Sequence, residues 1–109
     1  MIEYNIAKEY SQIPGPRYVR EGKFSGEDFR NTVLLPLINK AKQQNDKITI
    51  ILDGGYGYPT SFLEEAFGGA IRATNDRSIL GLLEFVSVEE PALIDEIKLY
   101  MSEAVNLLV

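Results

Sequence analysis

The chain has 109 residues, a formal charge of −5 and neither Cys nor His, enough length for one hydrophobic core without disulfide or metal staples. This composition excludes a disulfide framework and thiolate chemistry, removes the usual zinc ligands and the commonest general base, and offers no electrostatic footprint for nucleic acid or an anionic membrane. No apolar run reaches the ~18 residues of a membrane span, and MIEYNIAKEY lacks the basic and apolar regions of a signal peptide. The expectation is a single cytoplasmic domain over residues 1–109, with no metal and no cofactor.

Met1–Tyr10 alternates Ile2, Tyr4 and Ile6 against Glu3, Asn5 and Lys8, the period of a half-buried strand. Pro14, Gly15 and Pro16 then punctuate a turn, after which Tyr18–Gly22 is expected to return as a second edge strand. Ser25 with Asp28 three residues on marks a helix start. Phe29, Val33, Leu37 and Ala41 follow at four-residue spacing, flanked by Leu34 and Ile38. Pro36 sits inside that stripe, so a kink or a restart with Pro36 in the first turn is expected.

Lys47–Ala73, KITIILDGGYGYPTSFLEEAFGGAIRA, is the centre of the chain. Ile48, Ile50, Ile51 and Leu52 form a short β-branched run suited to a central strand. Asp53 ends it. Gly54, Gly55 and Gly57 permit a sharp turn, and Pro59 disfavours helix at Tyr58. Ser61 with Glu64 three residues later reads as a capping box, and Leu63, Ala66, Phe67, Ala70 and Ile71 give the next helix its buried face. Gly68-Gly69 in its body points to close helix–sheet packing or to a contact surface for a partner. Ile79–Val88 reads as a second buried strand. Two strands joined by one helix make a parallel βαβ unit. Glu89-Glu90-Pro91 then opens a last helix with an apolar stripe of Leu93, Ile97, Tyr100, Met101, Ala104 and Leu108.

The glycine loop invites a phosphate reading, yet it has no GxxxxGK[ST] and no dinucleotide spacing. Glu64 and Glu65 are neighbours on a helix and point about 100° apart, so Glu64 is assigned to the cap and Glu65 to solvent. Asp53 reads as a loop-capping acid, and Arg17 with Arg20 as surface charge. A hydroxyl at a helix N-terminus, Thr60 or Ser61, is a favourable place for an added phosphate, which would meet unpaired amides and the positive dipole end.

Three stretches carry a family likeness: PGPRYVREGKFSGEDFR (Pro14–Arg30), VLLPL (Val33–Leu37) and LDGGYGYPTSFLEEAFGGAIR (Leu52–Arg72). Through them the sequence resembles the STAS-like domain family of unknown function (the family labelled DUF4325), related in fold to the STAS domains of bacterial anti-sigma-factor antagonists. The resemblance implies an α/β fold: a small mixed β-sheet with a central parallel βαβ unit and helices packed mainly on one face. In antagonists the partner is a serine kinase of the GHKL ATPase type, which phosphorylates a hydroxyl at the start of the helix after a central strand. Counted from the strand-ending acid, Thr60 and Ser61 occupy that place, although Tyr58-Pro-Thr-Ser-Phe62 replaces the antagonists' D-S-S/T-G-L run. The resulting expectation is a non-enzymatic regulatory interaction module, a monomer or weak homodimer. It would bind a protein partner, a GHKL-type ATPase or kinase, through Asp53, Gly54, Gly55, Tyr56, Gly57, Tyr58, Phe62 and Glu65, with Ser61 and Thr60 as phosphorylation candidates. The alternative is a small-ligand or nucleotide binder using the Asp53–Gly57 loop with Glu64 and Arg17.

Overall fold

The computed structural model describes residues 1–108. Strand β1 (Ile2–Asn5) leads into a single helical turn, α1 (Ile6–Glu9). Helix α2 spans 26–43, β2 is Ile48–Ile51, and α3 spans 60–74. A short α4 (Ile79–Leu82) runs into β3 (Leu83–Val86), and α5 (Ala92–Asn106) closes the fold. The strands lie in the order β1-β2-β3 and both pairings are parallel, with Ile48 opposite Ile2 and Leu83, and Ile50 opposite Tyr4 and Phe85. The chain is therefore an α/β domain built on a parallel βαβ unit, as its alternating apolar runs require.

Alternation along each strand sorts the two faces of this sheet. Ile48 and Ile50 are fully buried under the helices, whereas Glu3 and Glu84 are exposed on the opposite face. Aromatic rings join the helices to the covered face. Phe29 of α2 packs on Phe62 and Phe67 of α3 at 5.7 and 6.0 Å between centroids, and it meets Tyr4 of β1 at 6.1 Å. Phe67 reaches Phe85 of β3 edge-on at 5.3 Å. Helix α5 covers α3 with Ile97, Met101 and Ala104.

Helices α2 and α3 each contain a π turn, Arg30–Leu34 in α2 and Glu64–Gly68 in α3, flanked by α-helical segments on either side. A π turn holds one residue more than an α turn. The buried stripe of α2 accordingly steps by five from Phe29 to Leu34 before resuming at Ile38 and Ala41, leaving Val33 and Leu37 half-buried. In α3 the expected stripe Leu63, Ala66, Phe67, Ala70 and Ile71 is fully buried, and Phe62 is buried beside it. Pro36 is the second residue of the α-helical restart Leu35–Gln43, where its missing donor is harmless.

Three sequence expectations change. Residues expected as a returning edge strand at Tyr18–Gly22 form a 3₁₀ turn, Val19–Glu21. The Tyr18 amide donates to Glu21 Oε1 (3.0 Å) and the Val19 amide to Glu27 Oε1 (2.9 Å), so side-chain carboxylates take the donors a ladder would have used. No antiparallel pair therefore joins the sheet among the described residues. The run Ile79–Val88 divides into α4 and a four-residue strand, because a continuous apolar run fits a buried helical turn as well as a buried strand. Strand β1 ends at Asn5, whose Oδ1 accepts the Lys8 amide and caps α1. The Ser25 cap on α2 forms as expected, accepting the Asp28 amide at 3.0 Å.

Phe29 is the ring that joins α2 and α3 to β1. Phe29→Ala is expected to lower the unfolding free energy by about 3–5 kcal/mol in urea titration. A loss below about 1 kcal/mol would show that the aromatic cluster does not hold the layers together.

Candidate functional site

At the carboxyl ends of β2 and β3 two loops are tied to each other. Both Asp53 oxygens accept loop amides, Oδ2 from Val88 (3.0 Å) and Oδ1 from Glu89 (2.9 Å). Glu89 Oε1 in return accepts the Gly54 amide at 2.7 Å. Asp53 is thus the loop-capping acid its position implied. Gly54 and Gly57 take φ values of +100° and +119°, a region costly for residues bearing a Cβ. Farther along, the Tyr56 amide donates to the Gln12 carbonyl (2.9 Å) and the Tyr58 hydroxyl to the Leu52 carbonyl (2.9 Å). Burial pushes the Tyr58 phenol well above its ordinary value, and the negative charges of Asp53 and Glu89 push it further.

The corner this creates is fixed by its backbone and open at its tip. Tyr56 is 82% exposed, and Val88, on the neighbouring loop, is 80% exposed. Between the loops lies a cavity of about 320 Å³, floored by Leu52 and Leu93 and walled by Tyr58, Asp53, Glu89 and Glu90. Such crevices beyond the carboxyl ends of strands are where open α/β sheets place their sites. Five exposed large apolar residues, Ile13, Val19, Phe24, Tyr56 and Val88, lie in the loops that follow the three strands. That concentration marks this end of the sheet as the surface to consider.

The structure brings Asp53, Gly54, Gly55, Tyr56, Gly57 and Tyr58 together at this corner, but two expected partner-binding residues turn inward. Phe62, expected to be exposed, has no accessible surface, because it is one of the rings packed on Phe29 and Tyr58. Glu65, expected in solvent, is only 8% exposed. It pairs with Arg30 of α2 and with Arg17 (3.2 Å). The capping box is absent as well. Helix α3 begins at Thr60 with Pro59 as its cap residue and no side-chain cap bond. Glu64 instead accepts from Arg17 (2.6 Å) and from Arg72 at 2.5 and 3.0 Å. The two adjacent carboxylates therefore converge on one guanidinium, which a regular α turn disfavours and the π turn Glu64–Gly68 allows, since its successive side chains diverge less.

Behind the corner, then, stands a cluster of Arg17, Arg30, Arg72, Glu64 and Glu65. Gly68 and Gly69 make room for it rather than for the sheet. A Cβ at Gly68 would sit 2.7 Å from Glu64 Oε2, and one at Gly69 would sit 2.9 Å from Arg30 Nη1. Arg17 and Glu64, grouped with Asp53 in the ligand-binding alternative, neutralise one another in this cluster. Arg20 points elsewhere, its guanidinium 4.7 Å from the centroid of the Tyr18 ring. Of the hydroxyls, Thr60 is exposed at the first residue of α3 and Ser61 is half-buried in its first turn. The sequence reading missed Arg30, Arg72 and Val88; a charged residue directly after the buried Phe29 was the available signal for Arg30. Among the described residues no group of three or more His, Cys, Asp or Glu could hold a metal ion, and no helix is long and apolar enough to cross a membrane.

A three-stranded parallel sheet with its helices on one face and a strand–loop–helix corner is consistent with a STAS-like α/β fold. Residues 25–93 match the family model described as a STAS-like domain of unknown function (DUF4325), and the chain belongs to that family. The matched span runs from the cap of α2 into α5 and contains the whole Gly54–Ser61 corner, while Arg17 lies before it. No curated protein and no solved structure matches the chain.

Two outcomes test the cluster. Gly69→Ala should destabilise the protein by about 1–2 kcal/mol although alanine is the better helix former, because Arg30 can yield only by leaving Glu65; a stabilised variant in thermal or urea unfolding would contradict this. Burial opposes ionisation of Glu64, but the hydrogen bonds from Arg72 and Arg17 outweigh it and hold the carboxyl below its ordinary value. A depressed folded value means the stabilisation is present above the unfolded value and is lost as pH falls through the folded one. Glu64→Gln should therefore flatten the acid limb of the stability–pH curve, and an unchanged limb would remove the assignment.

Proposed function

We propose that this domain is a non-enzymatic regulatory module that binds a protein partner with the loop-and-helix corner Asp53–Ser61, and that the partner is an ATPase or kinase of the GHKL type. The observation that carries the reading is Tyr56. Its ring stands in solvent while its backbone is held by the Gln12 carbonyl and its loop by Asp53 and Glu89. An aromatic presented on a pre-ordered loop loses little conformational freedom on association and is a typical interface anchor. Val88 and Ile13, on the loops tied to this one, are exposed apolar residues as well. The partner class follows from the family likeness to anti-sigma-factor antagonists.

A phosphorylation switch fits the start of α3. Thr60 is the better acceptor of the two hydroxyls because it is exposed, and phosphate there would lie at the free amides of a helix start. The test is a gentle pull-down from the native host with mass spectrometry of both the captured proteins and the Tyr58–Ala66 peptide. Wild type should retain a GHKL-type ATPase, Tyr56→Ala should lose at least about tenfold of it, roughly 1.4 kcal/mol, and phosphate should be found on Thr60 or Ser61. Retention of every partner by Tyr56→Ala would refute the corner as the binding surface.

A further inference from the structure

The corner gathers carboxylates around one cavity. Its cavity is lined by three carboxylates, Asp53, Glu89 and Glu90. The described ion pairs bring Lys and Arg side chains to Glu64, Glu65, Asp76 and Glu84, and the N-terminal ammonium to Asp46, with none placed on these three. Asp53 and Glu89 use only part of their acceptor capacity on loop amides, since an ionised carboxylate offers about four lone-pair sites. Glu90 is exposed, and its backbone carbonyl and amide both bond to the Ser87 hydroxyl, at 2.7 and 3.3 Å. An aromatic wall, Tyr58, and an apolar floor, Leu52 and Leu93, complete the cavity. A concave site with aromatic and anionic walls and no cation of its own is complementary to a guanidinium or ammonium group on an apolar stem.

We propose that this cavity receives an Arg or Lys side chain carried by the protein partner, with apolar neighbours of that side chain lying against Tyr56 and Val88. The proposal rests on the interaction reading above and adds the chemistry of the partner to it. A protein segment is favoured over a free amine by the surroundings of the cavity. Tyr56, itself part of the lining, is 82% exposed, and Val88, between the lining residues Ser87 and Glu89 but outside the lining, is 80% exposed, so apolar surface continues beyond the cavity where only a larger ligand would cover it. A covered apolar rim is also what excludes water from a charge pair and gives it strength. At about 320 Å³ the cavity is at the small end of ligand pockets, a size suited to one long side chain rather than a nucleotide.

The test uses the full chain and a phage-displayed random peptide library. Selected peptides are assigned to a site by their shifts of the backbone amides of ¹⁵N-labelled protein. Peptides that move the amides of Gly54–Tyr58 and Ser87–Glu90 are expected to carry Arg or Lys beside an apolar residue. Replacing Arg by citrulline, or Lys by norleucine, should weaken them at least about tenfold. Glu90→Gln should weaken the unmodified peptides with its amide spectrum otherwise intact. Peptides that bind the corner equally well in their uncharged forms would overturn the cationic assignment while leaving the interaction reading in place. Agmatine alone binding as tightly as the peptides would overturn the protein-borne partner. A selection in which no peptide moves the corner amides would overturn both the proposal and the reading beneath it.

Discussion

Two adjacent carboxylates on a π turn organise this fold. Glu64 and Glu65 draw in Arg17 from the proline-rich loop, Arg30 from α2 and Arg72 from the next turn of α3. One cluster thereby adds a charge-paired constraint on three segments to the aromatic packing that already joins α2 and α3. Arrangements of α2 against α3 that separate Arg30 from Glu65 leave the Arg30 guanidinium without its carboxylate and are disfavoured. The π turn of α2 shifts that helix's apolar stripe by one residue, and the π turn of α3 lets Glu64 and Glu65 converge, so charge and core are satisfied together.

The ion cluster and the corner are two ends of one construction. Arg17 ties the loop that follows α1 to α3, and Gln12 of that same loop holds the Tyr56 amide. Asp53 and Glu89 tie the loop after β2 to the loop after β3. The carboxyl end of the sheet is consequently ordered on every side, although hardly any of it is apolar core. Backbone glycines at positive φ carry the turns, and side-chain carboxylates satisfy the amides those turns leave free. What remains unsatisfied is on the outside: an aromatic ring, a valine and a set of carboxylates without cations.

Parallel sheets are ordinarily covered on both faces, and this one is covered on one. Glu3 and Glu84 stand on the open face, and Lys47 lies 3.6 Å from Glu84. Charges on edge strands only four residues long oppose pairing with another chain's strand.

Much of this was legible in the residue order because it depends on neighbours along the chain. The βαβ unit, the Ser25 cap, the restart at Pro36, the loop-capping role of Asp53 and the family likeness all follow from local spacing and residue type. Elements whose identity depends on what they pack against were not legible. Ile79–Leu82 is helix and Leu83–Val86 strand within one apolar run, and nothing in that run marks the division. Glu64 looked like a cap and Glu65 like a solvated charge because their local alternatives are sound. Arginines 47 residues before and 8 residues after Glu64 outcompeted the helix amides for it. Phe62 looked like a surface anchor because it follows an exposed loop, yet Phe29 and Tyr58 enclose it. Sequence determined which segments could be elements and where the corner would lie. The tertiary structure decided which side chains of that corner face solvent, because facing is a property of long-range packing and charge pairing.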